Sequence, residues 1–541
     1  PNAAGESPIQ LRAQGTATAL GLQQARELGW VAQLARHASG SAAYSLNLNV
    51  RRGVPELLLS SNLQGLALAL PAPLAKAAQT SLPLRYENRL LREAEATPAG
   101  GVAPVLRDQL TVELGSVGTA TWQRELRAGR TRVLRGAIAL GRGAGERLPL
   151  PADGVQALVQ ADRLDIDAWA AVLEPLGASA AGTPPDSQAS PASPGSPGTG
   201  LPAADTPADY LPTRFALRTR ELSAQGRTLH QALLAGTREG GVWRANASAD
   251  ELEGYAEYRP ASAREGARDG GTGQLYARLA RMRLPPSQAA QIEELFAEQP
   301  SSLPALDVVV EDFELRGRKL GRVEVEAHNR GGDGAAREWR LAKFNITAPE
   351  ASLTASGNWA LLGGASAGDS GDSGGAASAS RQRRTALNFR LDIRNAGALL
   401  ARFGMEDVVR RGKGVMEGQV AWTGAPMNPD YRSMSGQLHL DVQSGQFLQA
   451  DPGLAKLLGV LSLQALPRRL TLDFRDVFSE GFAFDFVRGD VRIERGVAST
   501  NNLQMKGVNA AVLMEGSADM NHETQDLHVV VVPELNAMTA S

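Results

Sequence analysis

Strict alternation of apolar and polar residues, broken at short intervals by glycine, runs through most of this chain and leaves few folds open to it. Tyr44, Leu46, Leu48 and Val50 alternate with Ser45, Asn47 and Asn49, and Leu66, Leu68 and Leu70 alternate with Ala67 and Ala69. Leu387, Phe389, Leu391 and Ile393 alternate with Asn388, Arg390 and Asp392. In the last quarter the apolar phases are Leu438, Leu440 and Val442, then Leu470, Leu472 and Phe474, then Phe482, Phe484 and Phe486. The residues between them are His439 and Asp441, Thr471 and Asp473, and Ala483 and Asp485. A period of two gives a strand with one apolar and one wet face. Glycines such as Gly418, Gly424, Gly436, Gly445, Gly481, Gly489 and Gly496 punctuate the runs, as in an antiparallel meander with tight turns.

Helical patterns are few: Ala25–Ala38, Asp165–Leu176, Pro286–Glu298, Asn395–Arg411 and Pro452–Leu466. The helix expected from Pro452 carries Leu454, Leu457, Leu458, Leu461 and Leu466, a broad apolar stripe. Strands over half of 541 residues number roughly 25 to 35 at ordinary lengths. A handful of short helices cannot cover so many apolar faces. The alternation alone leaves three outcomes open: sheet on sheet, a closed barrel, or an exposed apolar surface that meets a ligand or membrane.

Two low-complexity stretches interrupt the strands. Gly177–Ala208 is rich in Ala, Ser, Pro and Gly, and Gly363–Ser380 is nearly pure Gly, Ala, Ser and Asp. Neither has large apolar side chains to bury, and both are expected to be disordered. They divide the chain into sheet segments at 1–176, 209–362 and 381–541. Residues 177–208 are then a linker or a loop insertion, and 363–380 a loop between neighbouring strands.

Constellations that could carry chemistry are scarce. There are no cysteines, which excludes disulfides, thiol catalysis and thiolate metal sites. Net charge is −2, without the basic excess of a nucleic-acid binder. Gly364-Ala-Ser366-Ala-Gly368 has the spacing of a nucleophile elbow but lacks the preceding strand that motif needs. The group His522, Glu523, Asp526 and His528 reads as a polar turn before a strand rather than a metal site. Asp165 and Asp167 read as caps of the helix that carries Trp169. Core packing is expected of Trp243, Trp359 and Trp422. The basic runs Arg381–Arg384, Arg410–Lys413 and Arg468–Arg469 read as solvated strand ends or loops, with contact to lipid phosphates as the sharper alternative. No run of 18 or more apolar residues is present.

The last third resembles a known family. The run from Gly459 to Asp485, with Pro467-Arg-Arg469 inside it, is similar to the YhdP group of AsmA-like proteins of Gram-negative bacteria. So are Arg411-Gly-Lys-Gly414 with Glu417-Gly418 before Trp422, and Glu523-Thr-Gln525 before the strand ending at Pro533. Asn62-Leu-Gln-Gly65, Leu70-Pro-Ala-Pro-Leu-Ala-Lys76 and Leu303-Pro304 extend the likeness more thinly toward the start.

The resemblance implies a mainly β fold: a long, twisted antiparallel sheet rolled into an open hydrophobic groove, with a few short helices. It implies a non-enzymatic protein without cofactor or metal that moves phospholipid between inner and outer membrane through the periplasm. The partners implied are phospholipid acyl chains, the inner membrane through an anchor outside this chain, and an outer-membrane partner. The chain is then expected to be an internal piece of a longer protein. The groove lining expected in this segment is Leu438, Leu440, Val442, Leu470, Leu472, Phe474, Phe482, Phe484 and Phe486, all on one surface. The other reading is a structural or chaperone factor in outer-membrane assembly that binds nascent strands by augmentation.

Overall fold

The computed structural model describes residues 9–25, 30–51, 54–91, 106–127, 130–141, 147–178, 207–224, 226–260, 273–285, 303–330, 338–361, 383–426, 429–448, 482–508 and 510–533. These residues are mainly β, with 25 strands and a few short helices. They fall into two units, Pro1–Asp250 and Glu251–Ser541.

The first unit holds β1 (Ile9–Thr18), β2 (Ala38–Arg51), β3 (Val54–Ser61), β4 (Leu66–Leu68), β5 (Leu84–Leu90), β6 (Leu106–Leu114), β7 (Gly118–Arg127), β8 (Arg130–Leu140), β9 (Gly154–Asp165), β10 (Arg214–Ala224), β11 (Arg227–Glu239) and β12 (Val242–Ser248). Each strand pairs with the next, except that β3 pairs with β5 and the short β4 folds back on the start of β2. Helices α1 (Ala19–Gln24) and α2 (Trp30–Leu34) lie between β1 and β2, and α3 (Ile166–Ala178) follows β9. The Thr18 hydroxyl caps α1 by accepting from the Gly21 amide at 3.1 Å.

The second unit holds β13 (Leu252–Arg259), β14 (Gln274–Leu284), β15 (Ala305–Leu315), β16 (Arg318–Arg330), β17 (Glu338–Ala348), β18 (Ala351–Leu361), β19 (Arg383–Ile393), β20 (Val409–Thr423), β21 (Ser435–Phe447), β22 (Phe482–Glu494), β23 (Val497–Gly507), β24 (Ala510–Asp519) and β25 (Thr524–Pro533). Every strand here pairs with its successor. Its end strands do not pair with each other among the described residues, so the sheet is open rather than a closed barrel. Helix α4 (Ala396–Arg402) is short, capped by the Asn395 side chain. The helix expected over Asn395–Arg411 stops there because Phe403–Asp407 turn and β20 begins at Val409.

Among the described residues the pairings of β8 with β9, β9 with β10, and β14 with β15 are parallel rather than antiparallel. A parallel neighbour requires the chain to return to the rim where the previous strand began, which takes a long connection. The connections at these joints are residues 141–153, 166–213 and 285–304. The stretch 177–208 therefore joins two directly paired strands. The stretch 363–380 joins two antiparallel ones, with Leu361 opposite Arg383. The disorder expected of these stretches concerns residues 179–206 and 363–380, which lie outside the described residues. So do the helices expected at Pro286–Glu298 and Pro452–Leu466, and the Gly364–Gly368 motif.

Candidate functional site

Directly paired residues share a face of a sheet, so register traces each face from strand to strand. In the second unit one such row runs through Gly254, Leu279, Val310, Val323, Ile346, Leu353, Leu391, Met416, Leu440 and Gly489. Beyond a bulge in β22 and β23 it resumes with Leu503, Met514 and Val529. The adjacent row is Ala256, Ala277, Val308, Val325, Phe344, Ala355, Phe389, Gly418, Leu438 and Val491. The face is thus apolar across β13–β25. Leu353, Leu391, Met416 and Leu440 are only half-buried, as expected where no second layer covers them among the described residues. Helix α4 sits at one margin, with Ala396 against the cluster around Val442.

The reverse face is charged in register with the same strands. Arg390 on β19 contacts Glu417 on β20 at 2.6 Å. His439 on β21, opposite Glu417, contacts Asp490 on β22 at 2.8 Å. Asn502 on β23 donates to the same carboxylate at 2.7 Å. The His439 bond, then the Asn502 bond, hold the Asp490 pKa below its ordinary range. On β16, bonds from Lys343 and Arg322 bring the pKa of Glu324 down to about 2. A one-residue slip anywhere would turn these charges onto the apolar face.

The expected lining residues divide. Leu438, Leu440 and Val442 share the apolar face, with Val442 opposite Val487. Phe482 and Phe484 belong to a packed cluster with Val442, Val487, Met505, Ala510 and Val512, at 7% and 4% exposure. The Phe484 ring lies over Gly445 and 5.2 Å from the Phe447 ring. Phe486 departs from the expectation. The register with β23 shifts between Phe484 and Phe486, so Val487 takes the apolar position instead. Phe486 turns to the charged face, beneath the Arg488 guanidinium at 3.7 Å. Leu470, Leu472 and Phe474 lie outside the described residues, as do Arg468 and Arg469.

The first unit repeats the pattern. Ala13, Leu46, Leu59, Tyr86, Val112, Ala120, Ile138, Ala157, Phe215, Gly236 and Ala245 form one row from β1 to β12. A cavity of about 1000 Å³ lies beside it, lined in part by Tyr44, Ser61 and Leu84. Elsewhere the face carries an ion pair, Asp108 with Arg124, opposite each other on β6 and β7. Arg124 also donates to the Tyr210 hydroxyl at 3.1 Å, and Tyr210 meets Trp122 edge-on at 5.6 Å. The short turn of helix at Pro207–Tyr210 is thereby pinned to this face.

The remaining candidates resolve into structural roles. Asp165 caps α3 by accepting from the Ala168 amide at 2.9 Å, whereas Asp167 accepts from the Gly226 amide in the β10–β11 turn. His522 contacts Asp519 at 2.8 Å, which with the Asn521 and His522 amides builds the turn before β25. That hydrogen bond from His522 is the largest cause bringing the Asp519 pKa to about 2. Among the described residues no group of three or more His, Asp or Glu could hold a metal. Trp359 and Trp422 are buried, but Trp243 is 40% exposed, tilted against Phe215 with Arg238 over its ring. Among the described residues no helix is long and apolar enough to cross a membrane.

Known proteins supply a family for this chain. The profile of the family described as "YhdP protein" matches residues 3–541. The protein described as "Intermembrane phospholipid transporter YhdP" from Escherichia coli (strain K12) is 33% identical over 155 residues, covering 28% of this chain and 12% of that protein. No solved structure matches. The match over nearly the whole length, on a chain of in-register apolar and charged rows, makes this chain a member of the YhdP family.

Proposed function

We propose that this chain conducts phospholipid, non-enzymatically, along the apolar face of its sheet, as part of a longer periplasmic protein anchored in the inner membrane. The observation that carries the reading is the apolar row from β13 to β25, half-buried at its centre and without a covering layer among the described residues. Acyl chains lie against Leu353, Leu391, Met416, Leu438 and Leu440, and head groups face the open side. An aliphatic lining suits fluid chains, because dispersion contacts demand no fixed geometry. The likeness to a transporter of phospholipid between membranes supports the same substrate.

Phe482 and Phe484 support the surface by packing rather than by meeting lipid, because both are closed off inside their cluster. The test places a photo-crosslinking amino acid at Leu391 or Leu440 and, for comparison, at Arg390 or His439. Phospholipid is expected at 391 and 440 only, and in native mass spectra of the purified chain. Equal capture on both faces, or outer-membrane protein copurifying in place of lipid, overturns the reading.

A further inference from the structure

The cavity of the first unit opens on the face opposite the apolar row. On β6 its lining takes Glu113 and Gly115 and passes over Leu114, which pairs with Leu84 on the apolar side. The side chains that reach it are therefore those of the reverse row Gln14, Ser45, Ser60, Arg85 and Glu113, directly paired across β1, β2, β3, β5 and β6. Tyr44, Ser61 and Leu84 alternate with that row and contribute backbone to the floor. Thr16 and Ala43 lie one step along the same face. Small side chains at Ala43, Ser45 and Ser60 leave the hollow, and longer ones at Gln14, Arg85 and Glu113 wall it.

The chemistry of this lining selects a ligand. The row has no apolar side chain, so an acyl chain or an apolar peptide finds nothing to bury against. Its two charges are matched already, Arg85 by Glu87 at 2.9 Å and Glu113 by Arg147 at 3.1 Å. A phosphate or a cation therefore meets no open charge in the row. What remains is hydrogen-bonding capacity. Among the described residues the side chains of Gln14, Thr16, Ser45 and Ser60 make no hydrogen bond within the protein, and Ser45 and Ser60 are half-buried at the centre. Hydroxyl and amide groups both donate and accept, which matches a ligand whose own groups do both.

We infer that this cavity binds a neutral, unbranched saccharide chain, laid across the strands with its hydroxyls hydrogen-bonded to Gln14, Ser45 and Ser60. Five strands about 4.8 Å apart span about 19 Å, the reach of a tetrasaccharide. The volume of about 1000 Å³ admits a chain of that length. Binding exchanges hydrogen bonds to water for hydrogen bonds to protein, so each sugar contributes little and affinity grows with the number seated. The site lies on the face opposite the proposed acyl path and does not rest on that path.

Saturation-transfer NMR on the 541-residue chain tests the inference, with cellotetraose as the probe. Transfer to cellotetraose is expected, and cellobiose, which covers half the span, should bind several-fold more weakly. Ser45→Val with Ser60→Val fills the hollow with methyl groups and removes both hydroxyls, on strands where a β-branched residue is well accommodated. That variant should lose the transfer while keeping its unfolding temperature. Gln14→Ala should weaken binding several-fold, and Arg390→Gln, on the reverse face of the second unit, should leave it unchanged. Lipid captured at Leu391 should be the same in all of these, which separates failure here from failure of the acyl path. No transfer to cellotetraose, equal binding of the two sugars, or transfer that survives the double valine variant overturns the inference. Stronger binding of sn-glycerol 3-phosphate than of cellotetraose overturns it as well, because the cavity would then be an anion site.

Discussion

Arg124 donates two hydrogen bonds to Asp108, from Nε at 2.9 Å and Nη2 at 2.6 Å, on the sheet face that carries Leu110, Val112 and Trp122. The Asp108 side chain is 2% exposed and that of Arg124 12%. Removing one partner strands the other charge in a poorly solvated place, at a cost of about 3–5 kcal/mol. Asp108→Leu is therefore expected to lower the urea midpoint sharply. Asp108→Leu with Arg124→Met should recover most of the loss. A double variant as unstable as the sum of the singles would contradict this.

Gly445 permits the Phe484 ring to lie across its strand. A Cβ there would collide with the ring, which also packs on Phe447. Gly445→Val is expected to cost about 1–3 kcal/mol by overpacking. Thermal unfolding measures it, and Phe484→Leu in the same chain should return part of the loss.

Because Leu361 pairs with Arg383, the chain between them closes a hairpin. Replacing residues 364–380 with a short turn should leave the strand register intact. Loop-closure entropy favours the shorter chain by roughly 1 kcal/mol. Hydrogen exchange at β18 and β19 checks this, and lost protection in either strand would refute it.

The pKa of Glu324 is held at about 2 by hydrogen bonds from Lys343 and Arg322, against an ordinary 4.5. A depressed carboxylate contributes stability above its unfolded value and loses it as pH falls through its folded one. The loss is expected between about pH 4.5 and 2, and is small because both cations are half-exposed. In an NMR titration Lys343→Ala should move the Glu324 midpoint upward. An unmoved midpoint would remove Lys343 as the cause.

Much of this fold is legible in the alternation itself. The apolar phases at Tyr44–Val50, Leu387–Ile393 and Leu438–Val442 fall within β2, β19 and β21. Strand direction is not legible, since a period of two reads the same both ways, and the parallel joints leave no mark in it. The bulge after Phe484 is also silent, because Phe-Ala-Phe-Asp-Phe keeps alternating while the partner strand slips. Asp108 and Arg124 do carry a signal. Each stands in phase with apolar neighbours, Leu106 and Leu110 on one strand and Trp122 and Leu126 on the next. Opposite charges in such phases mark a pair on the apolar face.

The parallel joints also divide the order of assembly. Hairpins zip locally and quickly, but a strand parallel to its neighbour must wait for its crossover to arrive. β9 is parallel to both β8 and β10, so neither side can recruit it by a turn. β14 and β15 stand in the same relation. Pulse-labelled exchange during refolding should therefore show protection arriving early within β1–β8 and within β15–β25, and late at β9. The seams between parallel neighbours would be the places where a nascent chain pauses.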